Sequence, residues 1–174
     1  MKLANQRNDI LLDEILNAPT AENRFYLWWM GQSGFLIKWK NKHLLIDPYL
    51  SDSLSDKYYN TNKPHTRLTE KVIDPAKLDF IDIVTSSHNH TDHLDPATLI
   101  ALRDGNPDIK MVLPAANIDF AKERLGDEKP KKFIGLDKGD IEKVDGFEFH
   151  GISAAHNDVA KDEEGRCLYM GFVN

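Results

Sequence analysis

Residues 88–93 read His-Asn-His-Thr-Asp-His, so three imidazoles and one carboxylate lie within six consecutive positions. The stretch follows the apolar run 81–87, Ile-Asp-Ile-Val-Thr-Ser-Ser, which predicts a strand that ends where the histidines begin. Imidazole is the most common metal ligand among side chains, and a carboxylate adds the negative charge that holds a divalent cation. We therefore predict a metal site here, and a solvated loop that is only rich in histidine is the alternative.

The histidine stretch lies between a predicted strand and a predicted helix. Asp95 and Pro96 are typical of the N-cap and the first position of a helix. Loops at the carboxyl ends of strands are held by rigid elements on both sides and commonly bind ligands. In extended backbone, His88 and His90 point the same way and can reach one ion. His156, which follows another predicted strand, is the best candidate for a third ligand of a catalytic site with an open position for water.

The rest of the chain predicts a mixed α/β fold. Residues 24–46 contain three short segments rich in aromatic and branched side chains, which indicates a run of antiparallel strands. Residues 47–79 are polar and rich in turn residues, so we predict a long functional loop with little regular structure. The predicted strands cover residues 24–30, 35–39, 43–46, 80–85, 110–113, 133–134, 141–144, 147–152 and 168–173, and the predicted helices cover 9–17, 97–103 and 114–125.

Composition limits the classes of function. A chain of 174 residues, 41% of them hydrophobic, is long enough for a core, so we predict a single domain over residues 1–174. The formal net charge of -6 gives no basic surface for nucleic acid, which we do not expect as a partner. Cys167 is the single cysteine, and residues 1–20 lack the pattern of a secretion signal, so we expect a cytoplasmic protein. No apolar run reaches the ~20 residues that span a bilayer, so we expect no membrane association.

The sequence resembles a known superfamily in three places. Residues 88–93 match the His-x-His-x-Asp-His motif of the metallo-β-lactamase superfamily. Residues 29–38, Trp-Met-Gly-Gln-Ser-Gly-Phe-Leu-Ile-Lys, and residues 45–53, Leu-Ile-Asp-Pro-Tyr-Leu-Ser-Asp-Ser, resemble its branch of L-ascorbate-6-phosphate lactonases and related metal-dependent hydrolases. The resemblance extends from about Phe25 to the end of the chain. It implies an α/β fold, the αβ/βα sandwich of four layers, with one or two divalent ions, zinc or manganese, at the edge of a sheet.

The resemblance also implies two groups of metal ligands. His88, His90 and His156 would hold a first ion, and Asp92 and His93 would contribute to a second. A bridging aspartate and a last histidine are expected after a further strand downstream of His156, and this sequence contains neither. We therefore expect a sandwich that is truncated in its second half. An uncovered sheet face exposes more apolar surface than a monomer usually tolerates, so we also expect a homo-oligomer, or a piece of a longer protein.

The implied activity is hydrolysis of a small-molecule substrate, a lactone or a phosphorylated sugar-lactone ester. A metal-bound hydroxide would attack the substrate, and Asp92 would orient the water or accept its proton. Arg67 in the long loop is the first candidate for holding a phosphate, with Lys63 second, and an ordinary surface arginine is the alternative. Asp47, at a strand end, is expected to orient a ligand histidine, against the alternative of a simple turn aspartate.

Two other functions stay open at the level of the sequence. One is a metal-binding remnant without catalysis, whose fold serves as an assembly module. The other is a phosphodiesterase of the same superfamily, which the acidic composition disfavours. Metal content combined with hydrolysis assays separates the three.

Overall fold

A computed structural model describes residues 1–126 and 132–173, which form a larger and a smaller β-sheet together with α-helices. The larger sheet contains the strands Phe25–Gly31 (β1), Gly34–Trp39 (β2), Lys42–Ile46 (β3), Ile83–Thr85 (β4), Lys110–Pro114 (β5) and Phe133–Leu136 (β6), in that spatial order. The smaller sheet contains Ile141–Val144 (β7), Phe147–Ser153 (β8) and Met170–Val173 (β9). The helices are Asn8–Asn17 (α1), Ser53–Tyr58 (α2), Pro96–Gly105 (α3) and Ile118–Leu125 (α4).

The larger sheet changes from antiparallel to parallel pairing at β3. The pairs β1·β2 and β2·β3 are antiparallel, as the sequence predicts, whereas β3, β4, β5 and β6 run parallel. Parallel neighbours need crossover connections, and α3 and α4 lie within two of them. The carboxyl ends of β3, β4 and β5 therefore meet at one edge, which is where ligand sites of α/β sheets form.

The central strands of the larger sheet bury side chains on both faces. On β3, Leu45 belongs to the core on the helix side and Leu44 to the core on the other side, because successive side chains of a strand point to opposite faces. The helix-side core includes Leu11, Ile15, Met30, Leu36, Leu45, Val84, Leu99, Leu102, Met111, Ala121 and Leu125. The other core joins both sheets through Leu44, Ile83, Val112, Leu136, Val144, Phe147 and Phe149. These layers of helices, larger sheet and smaller sheet confirm the predicted α/β sandwich class.

The long segment 47–79 contains more regular structure than the sequence predicts. It includes the helix α2 and a 3-10 turn at Pro75–Lys77. Leu54 lies at the buried side of α2 and is 9% exposed. A single buried anchor in a six-residue helix leaves too short a periodic pattern to recognise from sequence.

Two helix starts show how the sequence sets local structure. The predicted cap of α3 is confirmed, because the Asp95 carboxylate accepts a hydrogen bond from the backbone N–H of Thr98 at 3.1 Å. The predicted helix over 114–125 instead begins as a 3-10 turn at Ala115–Asn117. Pro114 still belongs to β5, where it pairs with β6, so the α-helix forms only after the turn.

An exposed apolar stripe lies on the edge strand β1 of the larger sheet and on its neighbour β2. Phe25, Leu27 and Trp29 of β1 are 61%, 52% and 50% exposed, and Phe35 of β2 is 37% exposed. Trp29 and Phe35 are direct cross-strand partners, so the exposed side chains are continuous across the two strands. We call these four residues the β1 stripe.

Two expectations concern the chain as a whole. Over residues 1–126 and 132–173, the structure contains no helix with the length and apolar character that a bilayer crossing needs. The assignment of residues 1–174 to a single domain stays a prediction, for which one cooperative unfolding transition is the test.

Candidate metal centre

The histidine loop, residues 88–93, lies at the carboxyl edge of the larger sheet. It begins soon after β4 ends at Thr85, and it leads into α3. The backbone N–H of His93 donates to the carbonyl of His90 at 3.0 Å, which closes the loop into a turn. This turn brings His93 back to His88, and their ring centroids lie 4.1 Å apart.

A buried carboxylate lies beneath the histidine loop. Asp47 follows β3, is 6% exposed and has a positive φ of 40°, a backbone region that aspartate tolerates better than branched residues do. Its Oδ1 accepts hydrogen bonds from the Thr85 hydroxyl at 2.8 Å and from the Ser87 backbone N–H at 3.0 Å. Its Oδ2 accepts from Nδ1 of His93 at 2.7 Å and also from the Ser87 hydroxyl. The loop therefore rests on this carboxylate, at the strand end where the sequence predicts an orienting aspartate.

The contact between Asp47 and His93 favours the charged form of each group. Burial alone would raise the pKa of Asp47, but hydrogen bonds from His93 and Ser87 outweigh it and lower that pKa below its usual value. Burial alone would lower the pKa of His93, but the hydrogen bond to Asp47 and the nearby charges of Asp47 and Asp92 raise it. Because Nδ1 is directed at Asp47, the Nε2 lone pair of neutral His93 is the one available to a cation.

Four imidazole rings lie side by side at this edge. Between ring centroids, His88 lies 4.6 Å from His90 and 4.1 Å from His93, and His90 lies 5.0 Å from His156. Burial, followed by the charges of His93 and His90, lowers the pKa of His88 from 6.5 to about 4. Neutral imidazole is the form that binds a metal, so His88 is in the binding form at neutral pH. The structure thus brings together the four histidines that the sequence singles out.

Asp92 lies on the solvent side of this cluster. Its side chain is 40% exposed, and its Oδ2 lies 3.7 Å from Nε2 of His93. An exposed carboxylate beside a candidate ligand has room to contact a water molecule or a substrate. Its position agrees with the predicted catalytic role, and the role itself stays a prediction.

The side chains fit a divalent ion in kind, although they are not yet arranged around one. Over residues 1–126 and 132–173, no three His, Cys, Asp or Glu side chains form a group that could hold an ion as they stand. The imidazoles and the Asp92 carboxylate are nevertheless the nitrogen and oxygen donors that zinc and manganese bind. The rings are in contact, so metal binding requires them to turn about their side-chain bonds until their nitrogens face a common point.

Arg124 of α4 holds the histidine loop from the outside. Its Nη1 donates to the carbonyl of Asn89 at 3.0 Å, and its Nη2 donates to the hydroxyl of Thr91 at 2.6 Å. The guanidinium also lies over the Phe120 ring, 5.3 Å from the ring centroid. Because Asn89 and Thr91 flank His90, this arginine fixes the loop on both sides of a candidate ligand.

The opposite wall of the cluster is formed by His156 and Tyr169. His156 is exposed and lies in a segment without regular structure, between β8 and β9. The carbonyl of Tyr169 accepts a hydrogen bond from the backbone N–H of Ala154 at 2.9 Å. The next residue, Met170, donates its N–H to the carbonyl of Ser87 at 3.0 Å. Backbone pairing thus holds Tyr169 beside the histidine loop, while His156 has no such anchor of its own in the hydrogen bonds described for residues 1–126 and 132–173.

Arg67, the predicted phosphate-binding residue, is buried and engaged. It is 7% exposed, and its guanidinium donates to the backbone carbonyls of Tyr49, Ser51 and Thr69 at 2.9, 2.7 and 2.8 Å. It also lies over the Tyr49 ring, 4.7 Å from the centroid. These contacts hold segment 47–79 together and favour a structural role, so the predicted contact with a substrate phosphate lacks support from the geometry.

Four residues of this site are not predicted from the sequence, namely Thr85, Ser87, Arg124 and Tyr169. Thr85 and Ser87 are polar residues at the end of a buried strand, immediately before the histidines, and that position is the signal that points to them. No local pattern marks Arg124 or Tyr169, because their contacts join segments that are distant in sequence.

The fold and the histidine loop together define a protein family. The family model described as "Beta-lactamase superfamily domain" matches residues 26–173. The chain therefore belongs to the metallo-β-lactamase superfamily, which confirms the resemblance seen in the sequence.

The individual relatives have low sequence identity to this chain, between 20% and 26% for the following three. The chain is 26% identical to the "Probable L-ascorbate-6-phosphate lactonase UlaG" of Escherichia coli O127:H6, over 83% of this chain and 45% of that protein. Among solved structures it is similar to CmlA, a diiron β-hydroxylase from Streptomyces venezuelae, with a TM-score of 0.57 and 20% identity over 88% of this chain and 28% of that one. It is also similar to Igni18, a metallo hydrolase from Ignicoccus hospitalis, with a TM-score of 0.50 and 20% identity over 86% of this chain and 55% of that one. The structural likenesses show the fold, and the chain spans about half the length of the curated relatives it matches.

Proposed function

We propose that this chain supplies the metal centre of a metal-dependent hydrolase that acts on a lactone or a phosphorylated sugar-lactone ester. The observation that carries the proposal is the hydrogen bond between Asp47 and His93 beneath three further imidazoles. A carboxylate on Nδ1 of a histidine is the usual partner that orients Nε2 toward a metal. Membership in the metallo-β-lactamase superfamily supports the same assignment.

The proposed ligands form two groups, one for each ion. His88, His90 and His156 would hold a first ion, zinc or manganese, and Asp92 and His93 would contribute to a second. A bound divalent ion would polarise the substrate oxygen and lower the pKa of a coordinated water to about 7.

The remaining steps belong to residues of this chain. Asp92 would accept the proton of the attacking water, since its carboxylate is exposed beside His93. Asp47 would keep His93 oriented throughout, because its own position is fixed by Thr85 and Ser87. Arg67 would act on the substrate only indirectly, by fixing segment 47–79 through its backbone contacts.

A lactone is the substrate class that the similarity to named relatives supports. The relatives that the chain matches at 26% identity are named as L-ascorbate-6-phosphate lactonases. Opening a lactone needs attack at one carbonyl and protonation of one alkoxide, which a metal centre with a single carboxylate can provide. The chain matches about half the length of these relatives, and we propose the same lactone hydrolysis for a protein of their full length.

Metal content and hydrolysis, measured together, test the proposal. The chain would be stripped with a chelator, reloaded with Zn²⁺ or Mn²⁺ and assayed on L-ascorbate 6-phosphate, a simple lactone and an aryl phosphodiester. We expect uptake of about one ion or more per chain and lactone hydrolysis. The double variant His88→Ala, His90→Ala should lose both, whereas His150→Ala, which changes a histidine paired with Glu148 on the smaller sheet, should keep both.

The outcomes separate the candidate functions. Unaltered metal content in the double variant would refute the site. Activity on the phosphodiester alone would select the phosphodiesterase. One equivalent of metal without turnover would select the second candidate, a metal-binding module without catalysis.

The predicted homo-oligomer stays a proposal about the partners of this chain. The β1 stripe supports it, because exposed apolar side chains that are continuous across two strands are a common feature of interfaces. Sedimentation of the chain with Leu27→Lys against the unchanged chain tests it, since a charge within the stripe should dissociate such an assembly. A sedimentation coefficient of a monomer for both proteins would contradict it.

A further inference from the structure

Tyr169 contacts three of the proposed ligands at once. Its ring centroid lies 5.1 Å from that of His88, 5.9 Å from that of His90 and 5.6 Å from that of His156. The ring is tilted by 37° against His88 and by 39° against His156, and it meets His90 nearly edge-on at 78°. Tyr169 thus contacts proposed ligands in its own wall and in the histidine loop, although neither the motif nor the proposed chemistry includes it.

The two walls differ in their need for such a contact. His88 and His90 belong to a loop that Asp47 and Arg124 hold through hydrogen bonds. His156 is exposed in an irregular segment, and its ring partners are His90 and Tyr169. An unanchored side chain loses rotamer freedom when it binds an ion, which weakens binding unless another group has already restricted it.

Tyr169 is itself held in place by the backbone. The carbonyl of Tyr169 accepts from Ala154 at 2.9 Å, and Ala154 lies two residues before His156. Met170 donates to the carbonyl of Ser87 at 3.0 Å, immediately before His88. The tyrosine therefore lies at the junction between the segment of His156 and the histidine loop.

We propose that Tyr169 is a positioning residue of the metal centre, whose ring keeps the His156 side chain beside His90, so that the imidazoles need only turn about their side-chain bonds when an ion binds. The inference rests on the proposed function in so far as His156 is a ligand. The tilted ring contact restricts His156 without hydrogen bonds, so the tyrosine ring matters and its hydroxyl does not. A contact of this strength corresponds to about three- to tenfold in metal affinity.

Metal affinity of a set of variants tests the consequence for binding. Zn²⁺ titration by calorimetry should show about three- to tenfold weaker binding in Tyr169→Ala, and binding close to that of the unchanged chain in Tyr169→Phe. Tyr59→Ala, at an exposed tyrosine in another region, is the matched control. In a His156→Ala background, Tyr169→Ala should cause no further loss. An affinity that is unchanged or higher in Tyr169→Ala, or an equal loss without His156, would overturn the inference.

Histidine NMR of the metal-free protein tests the positioning itself. The Tyr169 ring should shift the Hε1 resonance of His156, and Tyr169→Ala should move that resonance toward the position of a free histidine while Tyr169→Phe preserves it. A His156 resonance that does not move in Tyr169→Ala would refute the inference whether or not metal binds. Failure of the unchanged chain to take up metal would instead contradict the proposed function, and the NMR result would still decide whether Tyr169 orders His156.

Discussion

The two walls of the candidate metal centre are built by different physical means. The histidine loop rests on a buried carboxylate, Asp47, and is held from the other side by Arg124. His156, in the opposite wall, is exposed and is in contact with the rings of His90 and Tyr169. Hydrogen bonds link the histidine loop to the stability of the fold, whereas the ring contacts of His156 do not. Mutations that remove the hydrogen bonds of the histidine loop should therefore change both stability and metal binding, and mutation of His156 should change metal binding alone.

Asp47→Ala is expected to have the largest effect. It removes the acceptor for the Thr85 hydroxyl, which is buried, and for the Ser87 N–H and His93, which are partly buried. Leaving buried donors without an acceptor should cost about 3 kcal/mol in the free energy of unfolding. Loss of the partner of His93, a proposed ligand, should also weaken metal binding by roughly tenfold or more. Urea unfolding and Zn²⁺ titration measure the two effects.

The control for this variant is Asp108→Ala, which changes an exposed aspartate at the other end of the larger sheet. It should leave both quantities close to those of the unchanged chain. If Asp47→Ala were as stable as Asp108→Ala, the histidine loop would not depend on the buried carboxylate, and the contrast between the walls would be wrong.

Arg124→Ala should show the same combination of effects at a smaller size. It removes two hydrogen bonds to the histidine loop, from Nη1 to Asn89 and from Nη2 to Thr91. We expect a loss of about 1 to 2 kcal/mol in the free energy of unfolding, since these acceptors can turn to water. Metal binding should weaken by a few fold, because residues on both sides of His90 gain freedom. Lys122→Ala, which removes a surface ion pair with Asp119 on the same helix, is the control and should change neither.

His156→Ala should weaken metal binding without changing the free energy of unfolding. Its ring is exposed and contributes to no buried core, so the free energy of unfolding should change by less than about 0.5 kcal/mol. Metal affinity should nevertheless fall by about tenfold or more, since one of three proposed ligands of the first ion is lost. The same unfolding and titration measurements on Arg124→Ala and His156→Ala decide whether His156 contributes to stability. Destabilisation of His156→Ala by as much as Arg124→Ala would show that the second wall is also part of the fold.

The same contrast explains what the sequence predicts well and what it does not. The histidine loop, its strand and the Asp95 cap are contiguous in sequence, so their periodicity and spacing locate them. Asp47 is found because a carboxylate at the end of a buried strand is a recognisable local feature. Tyr169 and Arg124 act through contacts with segments far away in the chain, and no local pattern encodes such contacts.

Arg67 is the predicted site residue that the geometry supports least. A cation in a long polar segment suggests a ligand for phosphate, but the fold encloses its guanidinium among backbone carbonyls of the same segment. Burial of an arginine depends on how segment 47–79 folds back on itself, which the sequence does not reveal. Residue type and position in a loop are therefore weaker guides to substrate contact than a strand end is to an orienting carboxylate.

The smallest expected effect is a pH-dependent loss of stability in Asp137→Asn, near the segment that carries Tyr169. The backbone N–H of Cys167, two residues before Tyr169, donates to the Asp137 carboxylate at 2.9 Å and lowers the pKa of that carboxyl. A carboxyl whose pKa is lower in the folded state contributes stability above its unfolded pKa of about 3.9, and this contribution is lost as the pH falls through the folded value. The unchanged chain should thus be more stable than Asp137→Asn at pH 7, and the difference should shrink as the pH falls below about 4.

Unfolding of both proteins in urea at a series of pH values measures this difference, with Asp158→Asn at an exposed position as the control. The His156 resonance of Asp137→Asn should also move at neutral pH, because the segment that carries Tyr169 loses a charged anchor. A difference in stability that grows toward low pH would have the wrong sign for a carboxyl with a lowered pKa, and it would remove Asp137 from the support of this wall. A His156 resonance unchanged in Asp137→Asn would mean that the pairing of Tyr169 with Ala154, and of Met170 with Ser87, holds the wall without it.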